Sequence, residues 1–166
     1  MKPKFQLLIV DESTYVAGIL TQTLEKDFEI TVVNTGQDAA RLLIQGNRYD
    51  CVLTELNLPF FSGLEITKLI RMSKLIAHTP IVILSSATSS DTRIECLEQG
   101  VDSFISKPFN PLEVKAKLNA LLRRTVPQTD ERMVADLDRA EPKSAWQPKS
   151  RFLSIFSRGY SVSQSA

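Results

Sequence analysis

The stretch 50–59 constrains the fold of this chain more than any other part of the sequence. It is a short apolar run that ends in a carboxylate, Glu55, and passes into a loop closed by Gly63. An apolar run of this length, bounded by turn residues, predicts a strand buried on both faces. In open parallel sheets, ligands bind beyond the carboxyl ends of the strands, so we expect Glu55 to lie at the functional edge.

Three further apolar runs end in residues with matching chemistry. The run 5–10 is followed by Asp11 and Glu12, the run 81–84 by Ser85, and the run 103–105 by Lys107 and Pro108. The carboxyl ends of parallel strands meet at one edge of a sheet, so we expect these side chains to lie close together. The sequence therefore predicts a cluster of carboxylates with one hydroxyl and one amine.

The whole first part of the chain alternates between strand and helix patterns. Strands are predicted at 5–10, 29–33, 51–54, 81–84 and 103–105. Helices are predicted at 15–26, 37–45, 64–73, 91–99 and 111–124, from apolar residues at helical spacing. Short loops between them imply right-handed crossovers and a parallel sheet with helices on both faces. The fold class is therefore α/β.

The apolar spacing also predicts which side of each helix faces the sheet. The second helix is expected to face inward through Ala40, Leu43 and Ile44, and to end at Gly46 and Asn47, which tolerate a left-handed conformation. The last helix is expected to face inward through an apolar stripe with the stem of one lysine, made by Leu112, Lys115, Leu118 and Leu122.

Composition excludes several classes of protein. The chain has 166 residues, 43% of them hydrophobic, which suits one globular domain and some additional sequence. With 20 basic and 19 acidic residues, no overall field would attract nucleic acid. The first apolar run is too short for a signal peptide or a membrane span, so we expect a cytoplasmic protein. Cys51 and Cys96 lack zinc or disulfide spacing and are expected to be free thiols.

The composition changes after residue 124. We interpret 1–124 as one domain and 125–166 as a largely disordered tail or linker, with short helices at 130–141 and 151–158 as alternatives. If helical, 151–158 would place Phe152 and Phe156 on one face and could dock in a partner's groove or lie on an anionic membrane. No pattern typical of a DNA-binding output domain follows, so the sequence does not predict direct control of transcription.

Taken together, these features resemble the receiver domain of two-component response regulators. The resemblance covers residues 4–124 and rests on several features at matching separations, namely Asp11-Glu12, Glu55 with Pro59 and Gly63 behind it, Ser85, Phe104 and Lys107-Pro108-Phe109. It implies a flavodoxin-like, doubly wound sheet with strand order 2-1-3-4-5. It also implies a cis bond before Pro108, a feature that is otherwise rare.

The resemblance further implies roles for these residues. In the family, an aspartate at the position of Glu55 takes a phosphoryl group from a histidine kinase. The acidic pair Asp11-Glu12 and the backbone carbonyl at Asn57 would hold Mg²⁺, and Lys107 would neutralise the transferred group. Ser85 and Phe104, together with Lys107 and Pro108, correspond to the positions that sense the modification. Phe104 is equally consistent with ordinary core packing.

Glu55 departs from this pattern by one methylene group. A longer side chain spoils the in-line geometry on which phosphoryl transfer depends, so we expect a pseudo-receiver that aspartyl phosphorylation does not switch. Two long carboxylates at Glu12 and Glu55 would also crowd the octahedral shell of Mg²⁺, which is the only cofactor implied. Without the metal, Lys107 is the natural counter-charge, which predicts an ion pair between Lys107 and Glu55.

The expected activity is therefore protein contact rather than catalysis. By analogy with the family, the partner, which would be a kinase, an output protein or a second copy in a homodimer, would bind through the fourth helix, fifth strand and last helix. No nucleic acid partner and no transmembrane segment are expected. Two alternatives remain: a phosphorylatable receiver in a histidine-kinase phosphorelay, and an anchor for a membrane or a partner formed by the tail.

Overall fold

Five parallel strands form the central sheet, in a computed structural model that describes residues 4–87 and 89–125. The strands are β1 (Phe5–Val10), β2 (Phe28–Val33), β3 (Cys51–Glu55), β4 (Ile81–Ser85) and β5 (Ser103–Ser106). Their order across the sheet is β2-β1-β3-β4-β5, and each neighbouring pair is parallel. The flavodoxin-like order expected from the sequence is confirmed.

Five helices alternate with the strands and cover both faces of the sheet. They are α1 (Thr14–Leu24), α2 (Gly36–Ile44), α3 (Gly63–Met72), α4 (Ser90–Glu98) and α5 (Pro111–Thr125). Strand residues of one parity, such as Leu7 and Ile9, pack against α1 and α5. Those of the other parity, such as Leu8 and Val10, pack against α2 and α3, and α4 lies on this same face over Ile83.

Side-chain caps explain where four of the helices begin. The hydroxyls of Ser13, Thr35, Ser62 and Ser89 each accept a hydrogen bond from the backbone N–H three residues later. Ser62 and Glu65 form a reciprocal capping box at the start of α3. At the other end of α2, Gly46 adopts a φ of +92°, which confirms the predicted stop.

The structure corrects several details of the expected fold. Strand β2 begins one residue earlier than predicted, and β4 and β5 each end one residue later. Strand β3 continues through Glu55 instead of ending at Thr54, because Glu55 still pairs in register with Leu84 of β4. Ile44 and Leu112 are exposed rather than inward-facing. The buried stripe of α2 runs through Ala39, Ala40 and Leu43, and that of α5 through Val114, Leu118 and Leu122. The predicted residues Ala40, Leu43, Leu118 and Leu122 are therefore buried, while Ala39 and Val114 are buried in place of Ile44 and Leu112.

Both cysteines lie in the described part of the chain. Cys51 and Cys96 are free and buried, as predicted. Burial raises the pKa of the Cys51 thiol to about 12, which keeps it protonated and unreactive.

The predicted helices at 130–141 and 151–158 lie outside the described residues. No helix within the described ranges is both long and apolar enough to cross a bilayer.

Gly36 opens α2 where this helix passes the loop after β3. A β-carbon there would lie 1.8 Å from the carbonyl oxygen of Phe61. We expect Gly36→Ala to destabilise the domain by about 3 kcal/mol, because backbone must move to accept the methyl group. Gly18, within α1, is the matched control: its β-carbon would meet no atom within 4 Å. Gly18→Ala should stabilise by roughly 0.5–1 kcal/mol through helix propensity. Equal urea midpoints for the two variants would contradict this close approach.

Candidate functional site

The predicted polar cluster assembles at the carboxyl edge of the sheet. Asp11 follows β1, Glu55 ends β3, Ser85 ends β4 and Lys107 follows β5. Strands β1, β3, β4 and β5 are consecutive neighbours, so their ends converge on one site. Asp11, Glu55 and Ser85 are buried there, although each carries a polar or charged side chain. Burial of such groups requires specific partners, and the structure provides them.

Lys107 is the central partner in this site. Its Nζ lies 2.9 Å from Oδ2 of Asp11 and also forms an ion pair with Oε2 of Glu55. The ion pair between Lys107 and Glu55 that the sequence predicts is therefore present. The second ion pair, with Asp11, makes one ammonium group the counter-charge of two buried carboxylates.

Backbone N–H groups bind the remaining carboxylate oxygens. Oδ1 of Asp11 accepts a hydrogen bond of 2.8 Å from the N–H of Ser13, at the cap of α1. Oε1 of Glu55 accepts from the N–H groups of Leu56 at 2.9 Å and Asn57 at 3.2 Å. Glu55 thus folds back onto its own loop. All four carboxylate oxygens of Asp11 and Glu55 are engaged.

The environment of Lys107 favours its charged form. Burial alone disfavours the charge, but the hydrogen bonds that Lys107 donates to Glu55 and Asp11, reinforced by the negative charges of these carboxylates, outweigh it and raise the pKa of Lys107 above the ordinary lysine value. The two carboxylates therefore hold the proton on Lys107.

Because the pKa of Lys107 is raised in the folded state, the free energy of unfolding depends on pH in the alkaline range. The stabilisation from charged Lys107 is fully present below the ordinary lysine pKa, and it is lost as the pH rises through the higher folded-state pKa. We expect denaturant titrations to show a falling free energy of unfolding across that alkaline range. The fall should be smaller in Glu55→Gln, which removes the charge of one partner. A fall of equal size in that variant would assign the effect to other groups.

Ser85 and Phe104 lie beside this cluster with partners of their own. The hydroxyl of Ser85 accepts a hydrogen bond of 3.0 Å from the N–H of Ala87, and its carbonyl accepts one of 2.8 Å from the N–H of Lys107. Phe104 is buried, with the guanidinium of Arg93 from α4 stacked 5.5 Å from its ring centroid. The peptide bond between Lys107 and Pro108 is cis. Sequence reasoning did not single out Arg93, because nothing local links it to Phe104.

Glu12 and Asn57 are exposed, unlike Asp11 and Glu55. A magnesium ion would need free carboxylate oxygens at this edge, whereas those of Asp11 and Glu55 are bound to Lys107 and to backbone N–H groups. Within residues 4–87 and 89–125, no three acidic, histidine or cysteine side chains are grouped closely enough to hold a metal. In this arrangement the residues do not fit Mg²⁺.

Comparison with known proteins agrees with this architecture. The family model of the response regulator receiver domain matches residues 7–119. The transcriptional regulatory protein SrrA of Staphylococcus aureus is 38% identical over 127 residues, which are 76% of this chain and 51% of SrrA. The chain thus spans about half the length of this curated relative.

Two solved structures share the fold and part of the sequence. The receiver domain of the Francisella response regulator 1452 is 30% identical, with a TM-score of 0.68 over 74% of this chain and 100% of that one. The chemotaxis response regulator CheY4 of Vibrio cholerae is 28% identical, with a TM-score of 0.66 over 72% and 99% of the respective chains. On the strength of the family match and these relatives, this chain belongs to the response regulator receiver domain family of two-component signalling.

Proposed function

We propose that this receiver domain signals through protein contacts and is not switched by phosphorylation of its acceptor position. The observation that carries the proposal is the engagement of Glu55 by Lys107 on one oxygen and by two backbone N–H groups on the other. A nucleophilic carboxylate must point a free lone pair in line at phosphorus, and positioning dominates the rate of such transfers. Both oxygens of Glu55 already accept hydrogen bonds that hold the side chain on its own loop, and the side chain is one methylene group longer than aspartate.

The role of Lys107 supports the same proposal. In phosphoryl transfer a lysine neutralises charge on the transferred group, but here it already balances two carboxylates. Asp11 and Glu55 thereby hold the end of β5 against those of β1 and β3 without a ligand. We infer that the domain rests in one fixed arrangement, and that Mg²⁺ is not its cofactor.

We propose that the partner is a protein that binds the surface formed by α4, β5 and α5. On this surface Ile94 and Leu97 of α4 are exposed although apolar, and they suit a protein interface. The partner would be a kinase, an output protein or a second copy of this chain. We also propose that this protein is located in the cytoplasm. The name of SrrA ascribes transcriptional regulation to that protein, and we extend to this chain only the signalling role.

The test is phosphate incorporation from a small-molecule donor. We expect the full chain, incubated with acetyl phosphate and Mg²⁺, to gain no phosphoryl group in intact-mass spectra, whereas Glu55→Asp gains one. A phosphoryl group on the wild type that Glu55→Ala abolishes would contradict the proposal. It would support instead a phosphorylatable receiver, which the convergence of Asp11, Ser85 and Lys107 at one edge also favours.

A further inference from the structure

The opposite edge of the sheet carries a surface that the receiver function does not use. We define the amino-edge patch as Ile44, Arg48, Met72, Lys74 and Leu75, at or just beyond the ends of α2 and α3. Ile44, Met72 and Leu75 are 73%, 84% and 73% exposed. Three large apolar side chains exposed to this degree at one end of two packed helices are unusual on a surface that contacts only water.

Positive charges outnumber negative ones around the patch. Residues 39–49 and 66–80 contain five lysines and arginines, one histidine and no acidic residue. Arg41 pairs with Asp38, and Arg71 with Asp102, which leaves Lys68, Arg48 and Lys74 without an ion pair in the described part of the chain. The neighbouring acid, Asp50, is exposed and accepts a hydrogen bond of 2.7 Å from the N–H of Gln6, so it sets one negative charge against the positive charges of Arg48, Lys74 and Lys68. The patch is therefore basic as well as apolar.

The two segments that present the patch are held together by packing and hydrogen bonds. Leu43 and Ile70 belong to one buried cluster, against which Tyr49 and Ile76 pack. Arg71 donates to the carbonyls of Ala77 at 2.7 Å and Thr79 at 2.8 Å, which fixes the loop after Leu75. A groove of about 560 Å³ lies beside the patch at Leu75, and its wall carries one acidic and one basic residue, Asp50 and Arg124. The patch is preorganised.

From this geometry we infer that the amino-edge patch docks the domain on an anionic lipid surface. Long, flexible Met72 and Leu75 side chains can enter the boundary between headgroups and acyl chains, while Arg48 and Lys74 meet anionic headgroups. Nucleic acid would use the positive charge and not the exposed apolar groups. A protein partner would need a surface both acidic and apolar, whereas an anionic bilayer has both properties. The contact would be weak, reversible and sensitive to salt. The inference holds whether or not Glu55 accepts phosphate.

The test is flotation of the full chain with lipid vesicles. We expect binding to vesicles of phosphatidylglycerol and phosphatidylcholine at low salt, and none to phosphatidylcholine alone. Arg48→Gln with Lys74→Gln should weaken the apparent affinity about 25-fold, because each basic residue near the surface contributes a factor of about five. Met72→Ser with Leu75→Ser should weaken it about tenfold. Phe60→Ser is the matched control, because Phe60 is 91% exposed at the opposite edge, and it should bind like the wild type.

Three outcomes would overturn the inference. The first is absence of binding to anionic vesicles at low salt. The second is equal binding by the wild type and both patch variants, which would place the contact elsewhere in the chain. The third is binding of a duplex oligonucleotide in place of vesicles, with the same dependence on Arg48 and Lys74, which would assign the patch to nucleic acid.

Discussion

Replacing Lys107 with methionine should lower the free energy of unfolding by about 3–5 kcal/mol, among the largest effects of any single substitution in this domain. The variant keeps an apolar stem of similar length but removes the ammonium group that pairs with both Asp11 and Glu55. These side chains are 1% and 7% exposed, so two negative charges would remain buried without a counter-charge. Urea denaturation of the wild type and the variant measures the difference directly.

The pH dependence of Lys107→Met distinguishes lost charge from lost packing. As the pH falls, protonation removes the unpaired charges, so the variant should regain stability relative to the wild type. Glu55→Gln added to the variant should recover part of the loss at neutral pH. Lys117→Met is the control, because Lys117 makes only a partly exposed ion pair with Glu113 and a long hydrogen bond of 3.4 Å to the carbonyl of Phe104, and it should cost about 1 kcal/mol. A loss in Lys107→Met that neither low pH nor Glu55→Gln reduces would contradict the ion-pair account.

Replacing Arg71 with methionine should cost about 3–4 kcal/mol, because one guanidinium joins two loops, the one between α3 and β4 and the one between α4 and β5. Arg71 donates twice to the carbonyl of Gly100, once each to those of Ala77 and Thr79, and once to Asp102. Asp102 in turn accepts from the N–H at the start of β4. The variant would leave these partly buried acceptors without a charged donor.

Arg41→Met provides the matched control for Arg71→Met. Arg41 makes one ion pair with Asp38, three residues earlier on the same helix, and both side chains are largely exposed. We expect this control to lose less than about 1 kcal/mol in the same denaturation experiment. Similar losses in the two variants would show that the network around Arg71 contributes no more than a surface pair. Because Arg71 also fixes the loop beside the amino-edge patch, its loss should increase amide hydrogen exchange at Leu75 and Ile76.

Local patterns predicted the α/β class and the edge of the sheet at which the site lies, whereas the strand order 2-1-3-4-5 was implied by the resemblance to receiver domains. Apolar runs at strand length, helical spacing and stop signals such as Gly46 specify the alternation of elements. Parallel strands then bring Asp11, Glu55 and Lys107 to one edge, whatever the details of packing. The ion pair of Lys107 with Glu55 followed from charge balance alone.

What the sequence did not predict depends on contacts between distant segments. Arg71 and Gly100 are 29 positions apart, and no local pattern links them. Ile44 and Leu112 lie at helix ends, where a small rotation of the helix decides whether an apolar side chain meets the sheet or water. The fold-back of Glu55 onto its own loop depends on a side-chain conformation, which sequence patterns do not specify.

The most direct test of the central claim is an amide NMR titration of the full chain with Mg²⁺ and then beryllofluoride, which mimics a phosphoryl group on a receiver carboxylate. The wild type and Glu55→Asp are compared under the same conditions. We predict that the wild type shows no shifts at Ser85, Phe104 and Lys107, whereas Glu55→Asp shifts at all three. Saturable shifts at these residues in the wild type would contradict the claim, because they would show that Glu55 accepts the phosphoryl mimic.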